Sequence, residues 1–105
     1  MAEWLLVASA EVDPAVEEEW NRWYDEVHVP EMVDCPGWLS GTRYVSEDES
    51  GKRHYIGIYE LEGPQALESE EFHARRGWRE YTPHVRHTST LYKRVSSTDK
   101  TTTAS

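Results

Sequence analysis

The segment WNRWYDEVHVPE, residues 20–31, concentrates more aromatic surface beside a titratable group than any other part of the chain. On an ideal helix, with about 100° between neighbours, the apolar side chains of this region fall on one stripe: Val16, Trp20, Trp23 and Val27. An amphipathic helix buries such a stripe, so we predict that all four belong to the core. Because the residue before a proline avoids helical dihedrals, we expect the helix to end near His28, ahead of Pro30.

Tyr24 and His28 are four residues apart and share the flank of the predicted stripe, where a side chain is half exposed. Histidine has an ordinary pKa near neutrality, so a half-buried imidazole can accept or release a proton at working pH. Two interpretations of His28 therefore stand side by side. It is either a surface or capping residue, or a general acid or base next to an aromatic wall.

Composition restricts the classes of protein that the chain can represent. A length of 105 residues allows one domain, which we assign to residues 1–95, followed by a Ser/Thr-rich tail at 96–105 that we predict to be disordered. The net charge of −9 argues against nucleic acid or an anionic membrane as a partner. No apolar run is long enough for a signal sequence or a membrane span, so we expect a cytoplasmic protein. The single cysteine, Cys35, excludes an intrachain disulfide.

Four segments predict strands, at residues 3–12, 38–47, 54–61 and 84–95, and two predict helices, at 13–28 and 63–76. The order strand, helix, strand, strand, helix, strand indicates an α+β fold of the ferredoxin-like βαββαβ type. In that fold both helices cover one face of a four-stranded antiparallel sheet. The other face, with Ile56 and Ile58, would be bare, and two copies pressing these faces together would form a homodimeric α+β barrel. Strict alternation along residues 38–47 would put Trp38 and Tyr44 on the same face.

A resemblance to a known family rests on the tryptophan and tyrosine ahead of His28-Val29-Pro30, together with Pro36-Gly37-Trp38 and Arg43-Tyr44. This pattern resembles the small EthD-type proteins of the dimeric α+β barrel superfamily. The superfamily includes cofactor-free monooxygenases of aromatic polyketides, polyketide cyclases and dehydratases, muconolactone isomerase-like enzymes and haem-degrading monooxygenases. The resemblance implies a pocket between sheet and helices with His28 at its edge, without selecting a reaction.

The candidate site has two catalytic residues, His28 and Tyr44. His28 would move the proton, and Tyr44, with Tyr24, would donate hydrogen bonds to a developing oxyanion. The predicted substrate-binding residues are Trp23, Tyr24, Trp38, His73 and Trp78. We predict neither a metal nor an organic cofactor. The histidines lack the spacing of a metal motif, and the negative charge counts against a propionate-rich ligand such as haem.

Two functional hypotheses follow from these residues. The first is a cofactor-independent enzyme that acts on a small hydrophobic, aromatic or polyketide-like molecule by dehydration, cyclisation, isomerisation or oxygenation. The second is a binding or accessory protein that holds a hydrophobic metabolite or assists a partner oxygenase. If all five tryptophans were simply core residues, there would be no pocket at all.

Overall fold

A computed structural model describes residues 2–100 and contains one antiparallel sheet of four strands. The strands are β1 (Trp4–Val12), β2 (Trp38–Glu47), β3 (Arg53–Leu61) and β4 (Val85–Lys93), and they lie in the order β2-β3-β1-β4. The helices are α1 (Glu17–Trp23), α2 (Val29–Val33) and α3 (Glu70–Arg75). This order of elements confirms the predicted ferredoxin-like α+β fold.

The first helical region is longer than predicted. A 3-10 turn at Pro14–Val16 leads into α1, a π-helical turn at Tyr24–His28 follows, and α2 continues through Pro30. The expectation that the helix ends near His28 is therefore wrong. In the π-helical turn the Val29 N–H bonds to the Tyr24 carbonyl, five residues back, and Pro30 occupies the first turn of α2, where a missing N–H is tolerated.

The wide turn also shifts which side chains the helix buries. Trp20 is fully buried, Tyr24 is 2% exposed and His28 is 5% exposed, whereas Val27 is 41% exposed. The predicted stripe is thus wrong for Val27, and Tyr24 and His28 are core residues rather than flanking ones. A π-helical turn rotates less per residue than an α-helix, so positions 24 and 28 stay in line with Trp20.

The second helical region is interrupted instead of continuous. A 3-10 turn at Pro64–Leu67 is separated from α3, and the Ser69 side chain caps α3 by accepting a bond from the Phe72 N–H at 3.1 Å. After α3, a further 3-10 segment at Arg79–His84 leads into β4. Because a serine cap starts a new helix, the predicted single helix over 63–76 is divided.

A bulge near the start of β2 changes the faces of that strand. The register between β2 and β3 shifts between Trp38 and Ser40, so Trp38 and Arg43 both face the helices. Tyr44 pairs with Ile56 and lies on the opposite, outer face. The expectation that Trp38 and Tyr44 share a face is therefore wrong, because a bulge adds one residue to the alternation.

The far end of the chain adds little to the fold. Residues 94–100 carry no helix or strand and are exposed, and the rest of the predicted tail, from residue 101, lies outside the described residues. Among residues 2–100 no helix is both long and apolar enough to cross a membrane.

The inner face of the sheet leaves room for large aromatic side chains at its glycines. A Cβ atom at Gly57 would lie 2.9 Å from the Tyr24 hydroxyl oxygen. The Tyr24 ring is itself confined, edge to face with Trp20 at 5.2 Å and beneath the Arg43 guanidinium at 4.0 Å. The tyrosine therefore has little freedom to move away from a larger residue at this position.

We expect Gly57→Ala to lower the free energy of unfolding by about 1 to 3 kcal/mol, because the added methyl overpacks the Tyr24 hydroxyl. Urea denaturation of the native protein, Gly57→Ala, Tyr24→Phe and the double variant measures this coupling. The double variant should lose less free energy of unfolding than the sum of the losses in the two single variants. Strictly additive losses would contradict the close contact.

Candidate functional site

A cleft of about 700 Å³ opens between the inner face of the sheet, α2, α3 and the segment that follows α3. Its volume lies within the range of small-molecule sites in proteins, roughly 300 to 1,000 Å³. The apolar part of the wall comes from β1, α2, β2, α3 and their connections: Leu6, Ala8, Met32, Trp38, Leu67, Phe72 and Leu91. His28 lies in the same wall, so a buried imidazole faces a largely apolar space.

Three aromatic rings surround the His28 imidazole. Trp23 stacks on it with a centroid separation of 4.8 Å and an interplanar angle of 20°. Tyr24 meets it edge to face at 5.3 Å, and Trp78 lies tilted at 5.4 Å. This packing fixes the plane of the imidazole and keeps water from most of its surface.

The two nitrogens of His28 have different environments. Nδ1 lies 3.3 Å from Oε1 of Glu31, three residues further along the helix, and the Arg79 Nη2 donates to both oxygens of that carboxylate at 2.8 and 2.6 Å. Nε2 has no hydrogen-bond partner among residues 2–100. A carboxylate at Nδ1 favours the tautomer that keeps the proton there, which leaves Nε2 as the free base.

Opposing influences determine the protonation state of His28. Burial is the largest and lowers its pKa, the Glu31 carboxylate raises it, and the Arg79 and Arg43 guanidinium groups lower it. The net pKa lies below the ordinary value of 6.5. At neutral pH the imidazole is therefore neutral, the form in which it accepts a proton.

The predicted site residues divide into three groups. Trp38 and Trp78 line the cleft with His28, while Trp23 and Tyr24 pack directly against the His28 ring. Tyr44 is 56% exposed on the outer face of the sheet, and His73 is exposed on α3, in ring contact with Phe72. The structure does not bring Tyr44 or His73 together with His28.

Sequence reasoning missed several residues that the structure places at the site. Glu31 could have been found, because it follows His28 by three positions on a helix that we expected to stop too early. Arg79, Arg76 and His87 come from distant positions and carry no local signal. Arg79 has a positive φ of 51°, which is uncommon for a residue other than glycine.

Trp78 links His28 to a second histidine in the cleft wall. Its indole Nε1–H donates to Nδ1 of His87 at 2.8 Å, and the two rings meet edge to face at 5.3 Å. Since Nδ1 accepts this bond, a neutral His87 carries its proton on Nε2.

A family model described as a domain of unknown function, DUF4286, matches residues 4–95. The chain belongs to this family. No curated protein matches this chain. The match covers all four strands and every residue of the candidate site, so the His28 cleft lies within the family domain.

Solved structures share the fold at low sequence identity. A structure described as an antibiotic biosynthesis monooxygenase has a TM-score of 0.67 and 21% identity over 89% of this chain and 99% of its own. A dimeric ferredoxin-like protein from an uncultured marine organism has a TM-score of 0.69 and 13% identity, and the match covers 90% of this chain and 97% of that protein. SnoaB, a cofactor-independent oxygenase from Streptomyces nogalater, has a TM-score of 0.67 and 12% identity, and the match covers 94% of this chain and 100% of SnoaB. At these identities the similarity establishes the ferredoxin-like fold.

The arrangement offers no convergent metal ligands in the described part of the chain. Across residues 2–100, no group of three or more His, Cys, Asp and Glu side chains comes together as a metal site would require. Glu31, the carboxylate beside His28, is already engaged by Arg79.

We expect Glu31→Gln and Arg79→Gln to shift the His28 pKa in opposite directions. Glu31→Gln removes the carboxylate that raises the pKa and should lower it further, whereas Arg79→Gln removes a cation and should raise it. NMR titration of the His28 ring measures both shifts. Arg22→Gln, which removes an exposed arginine paired with Glu18, should leave the His28 pKa unchanged. Shifts of the same sign in the two site variants would contradict the assigned contacts.

Proposed function

We propose that this protein is a cofactor-independent enzyme that acts on a small hydrophobic, aromatic or polyketide-like molecule by proton transfer through His28. The observation that carries this proposal is the His28 environment. Nδ1 is held by Glu31, Nε2 has no partner among residues 2–100, and the ring lies in the wall of the cleft. A buried, oriented and neutral imidazole at an apolar cleft is suited to general base catalysis.

The first chemical step is removal of a proton from the substrate. His28 Nε2 takes a proton from a carbon next to a carbonyl, or from a phenolic hydroxyl, and the electron pair stays on the substrate as an enolate or phenolate. The imidazolium that forms is stabilised by the Glu31 carboxylate at Nδ1. Dehydration, cyclisation, isomerisation and reaction with molecular oxygen can all start from this anion.

The wall of the cleft supports an aromatic substrate. Trp38, Phe72 and Trp78 supply flat apolar surface, and such rings bind a planar molecule while they exclude water. The proposal gives no role to Tyr44, which lies on the other face of the sheet. Kinship with the EthD-type proteins is part of the proposal and rests on residues 20–44.

We expect His28→Gln to lose turnover by about a hundredfold to ten-thousandfold, the usual contribution of a general base, while it still binds the substrate. The measurement is a panel of aromatic ketones, phenols, lactones and polyketide-like acids, with binding followed by calorimetry and conversion by mass spectrometry. His73→Gln, which changes an exposed histidine outside the cleft, should leave turnover unchanged. The native rate should be constant above the ordinary histidine pKa of 6.5 and should fall as the pH drops through the lower pKa of folded His28.

Binding without conversion by the native protein would contradict catalysis and favour the alternative, a carrier or accessory protein for a hydrophobic metabolite. Equal turnover by the native protein and His28→Gln would assign the chemistry to another residue. No binding by any member of the panel would contradict both functions.

The second part of the proposal is a homodimer formed through the outer face of the sheet. Val7 and Ile58 are directly opposite each other on β1 and β3, and Ile56 and Leu5 extend the apolar surface on the same face. Tyr44 and Tyr92, both more than half exposed, lie on this face as well. A second copy would cover the apolar surface, as in a closed eight-stranded barrel.

We expect the native protein to have twice the 12.2 kDa mass of one chain in light scattering at micromolar concentration. Ile58→Lys should give a folded monomer, because it places a charge in the middle of the outer face. Val27→Lys makes the same chemical change at an exposed helical position and should leave the mass unchanged. A native monomer, or a dimer that survives Ile58→Lys, would contradict this interface.

A further inference from the structure

The cleft is free of acidic side chains although the chain is strongly acidic. The sequence holds 20 Asp and Glu residues and a net charge of −9, yet none of them is among the residues that line the cleft. Arg76 is the charged residue that does line it, together with the imidazoles of His28 and His87 and the phenol of Tyr59. The local charge of the cleft is therefore opposite in sign to that of the whole molecule, which favours an anionic ligand.

Arg76 has no counterion among residues 2–100, unlike six other arginines of the chain. Six of the eight arginines in the chain pair with a carboxylate: Arg22, Arg43, Arg53, Arg75, Arg79 and Arg86. Among residues 2–100, Arg76 has no ion pair and no side-chain hydrogen bond, although its neighbour Arg75 binds Asp34. In a chain with excess carboxylates, an arginine left unpaired at a cleft is available for a ligand.

The backbone explains why Arg76 is at the cleft. Its N–H bonds to the Phe72 carbonyl at 2.9 Å at the end of α3, and its dihedrals are extended, with φ −68° and ψ 157°. Gly77 then adopts a φ of +105°, a region that favours glycine, and the chain turns so that Trp78 is buried against His28. Arg76 is thus anchored by its backbone two residues ahead of Trp78, which packs against His28.

The other polar groups of the cleft wall can also donate hydrogen bonds. His87 accepts from Trp78 at Nδ1, so its neutral form carries a proton on Nε2. Ser89, two residues further along β4 on the same face, adds a hydroxyl group. Donors and a cation are the groups that recognise a carboxylate, and a guanidinium can bind both of its oxygens.

We propose that the substrate of the cleft is a hydrophobic aromatic carboxylate, with its carboxylate bound by Arg76 and its ring system held against Trp38 and Phe72. This inference rests on the proposed function, because it names the class of molecule that would be presented to His28. It adds a specificity residue: Arg76 selects the anion and takes no part in the proton transfer.

The test compares an aromatic acid with a neutral molecule of the same shape. Calorimetry measures the binding of 2-naphthoate and of 2-naphthamide to the native protein, Arg76→Gln, Arg76→Lys and Arg22→Gln. We expect the native protein to bind the acid at least tenfold more tightly than the amide. Arg76→Gln should weaken binding of the acid about tenfold to a hundredfold, the usual effect of a charge-assisted bond, and should leave amide binding within twofold. Arg76→Lys should be intermediate, since it keeps the charge and loses the planar fork.

Arg22→Gln is the charge-matched control, because it removes one exposed arginine outside the cleft. Arg22→Gln should keep the preference for the acid. If it lost as much affinity for 2-naphthoate as Arg76→Gln does, the effect would be due to net charge and the inference would be overturned. Equal affinity of the native protein for acid and amide, absence of binding by 2-naphthoate at millimolar concentration, or a parallel loss of both ligands in Arg76→Gln would each overturn it too.

Measuring binding and turnover separately distinguishes a failure of this inference from a failure of the proposed function. Acid-selective binding that depends on Arg76, with no conversion of any acid or ketone in the substrate panel, would support the carboxylate site and contradict catalysis. Conversion of neutral ketones that depends on His28, with no preference for the acid, would support catalysis and contradict the carboxylate site.

Discussion

The π-helical turn at Tyr24–His28, capped by the bond from the Val29 N–H to the Tyr24 carbonyl, keeps the first helical region continuous through Pro30. The position of His28 follows from this turn. The turn keeps Tyr24 and His28 in line with Trp20 on the buried side of the helix, and it allows α2 to form, which brings Glu31 within reach of Nδ1. A turn of this kind is rare in helices and is found frequently at functional sites.

The properties of the His28 imidazole result from a balance between packing and charge. The rings of Trp23, Tyr24 and Trp78 remove water and so disfavour the imidazolium, whereas Glu31 favours it. Arg79 weakens the effect of Glu31, since it binds the same carboxylate and adds a positive charge nearby. The imidazole is thus neutral at neutral pH, and the Glu31 carboxylate lies where it would stabilise the imidazolium.

Local patterns in the sequence predict the fold well because the four strands follow the expected alternation over most of their length. Alternation and turn residues locate all four strands, and the order of elements identifies the topology. The site was predicted less completely. The π-helical turn and the bulge after Trp38 each add a residue to a regular period, and such irregularities depend on tertiary packing. Arg79 reaches Glu31 across 48 positions, a contact that no local spacing reveals.

The stacking of Trp23 on His28, and the contacts of Trp78 with both His28 and His87, have a consequence for spectroscopy. An indole ring loses its excited state to a protonated imidazole in contact with it, and much less to a neutral one. Two of the five tryptophans are therefore optical reporters of the histidines that they hold in place. The tryptophan fluorescence of the unlabelled protein therefore depends on whether these histidines are protonated.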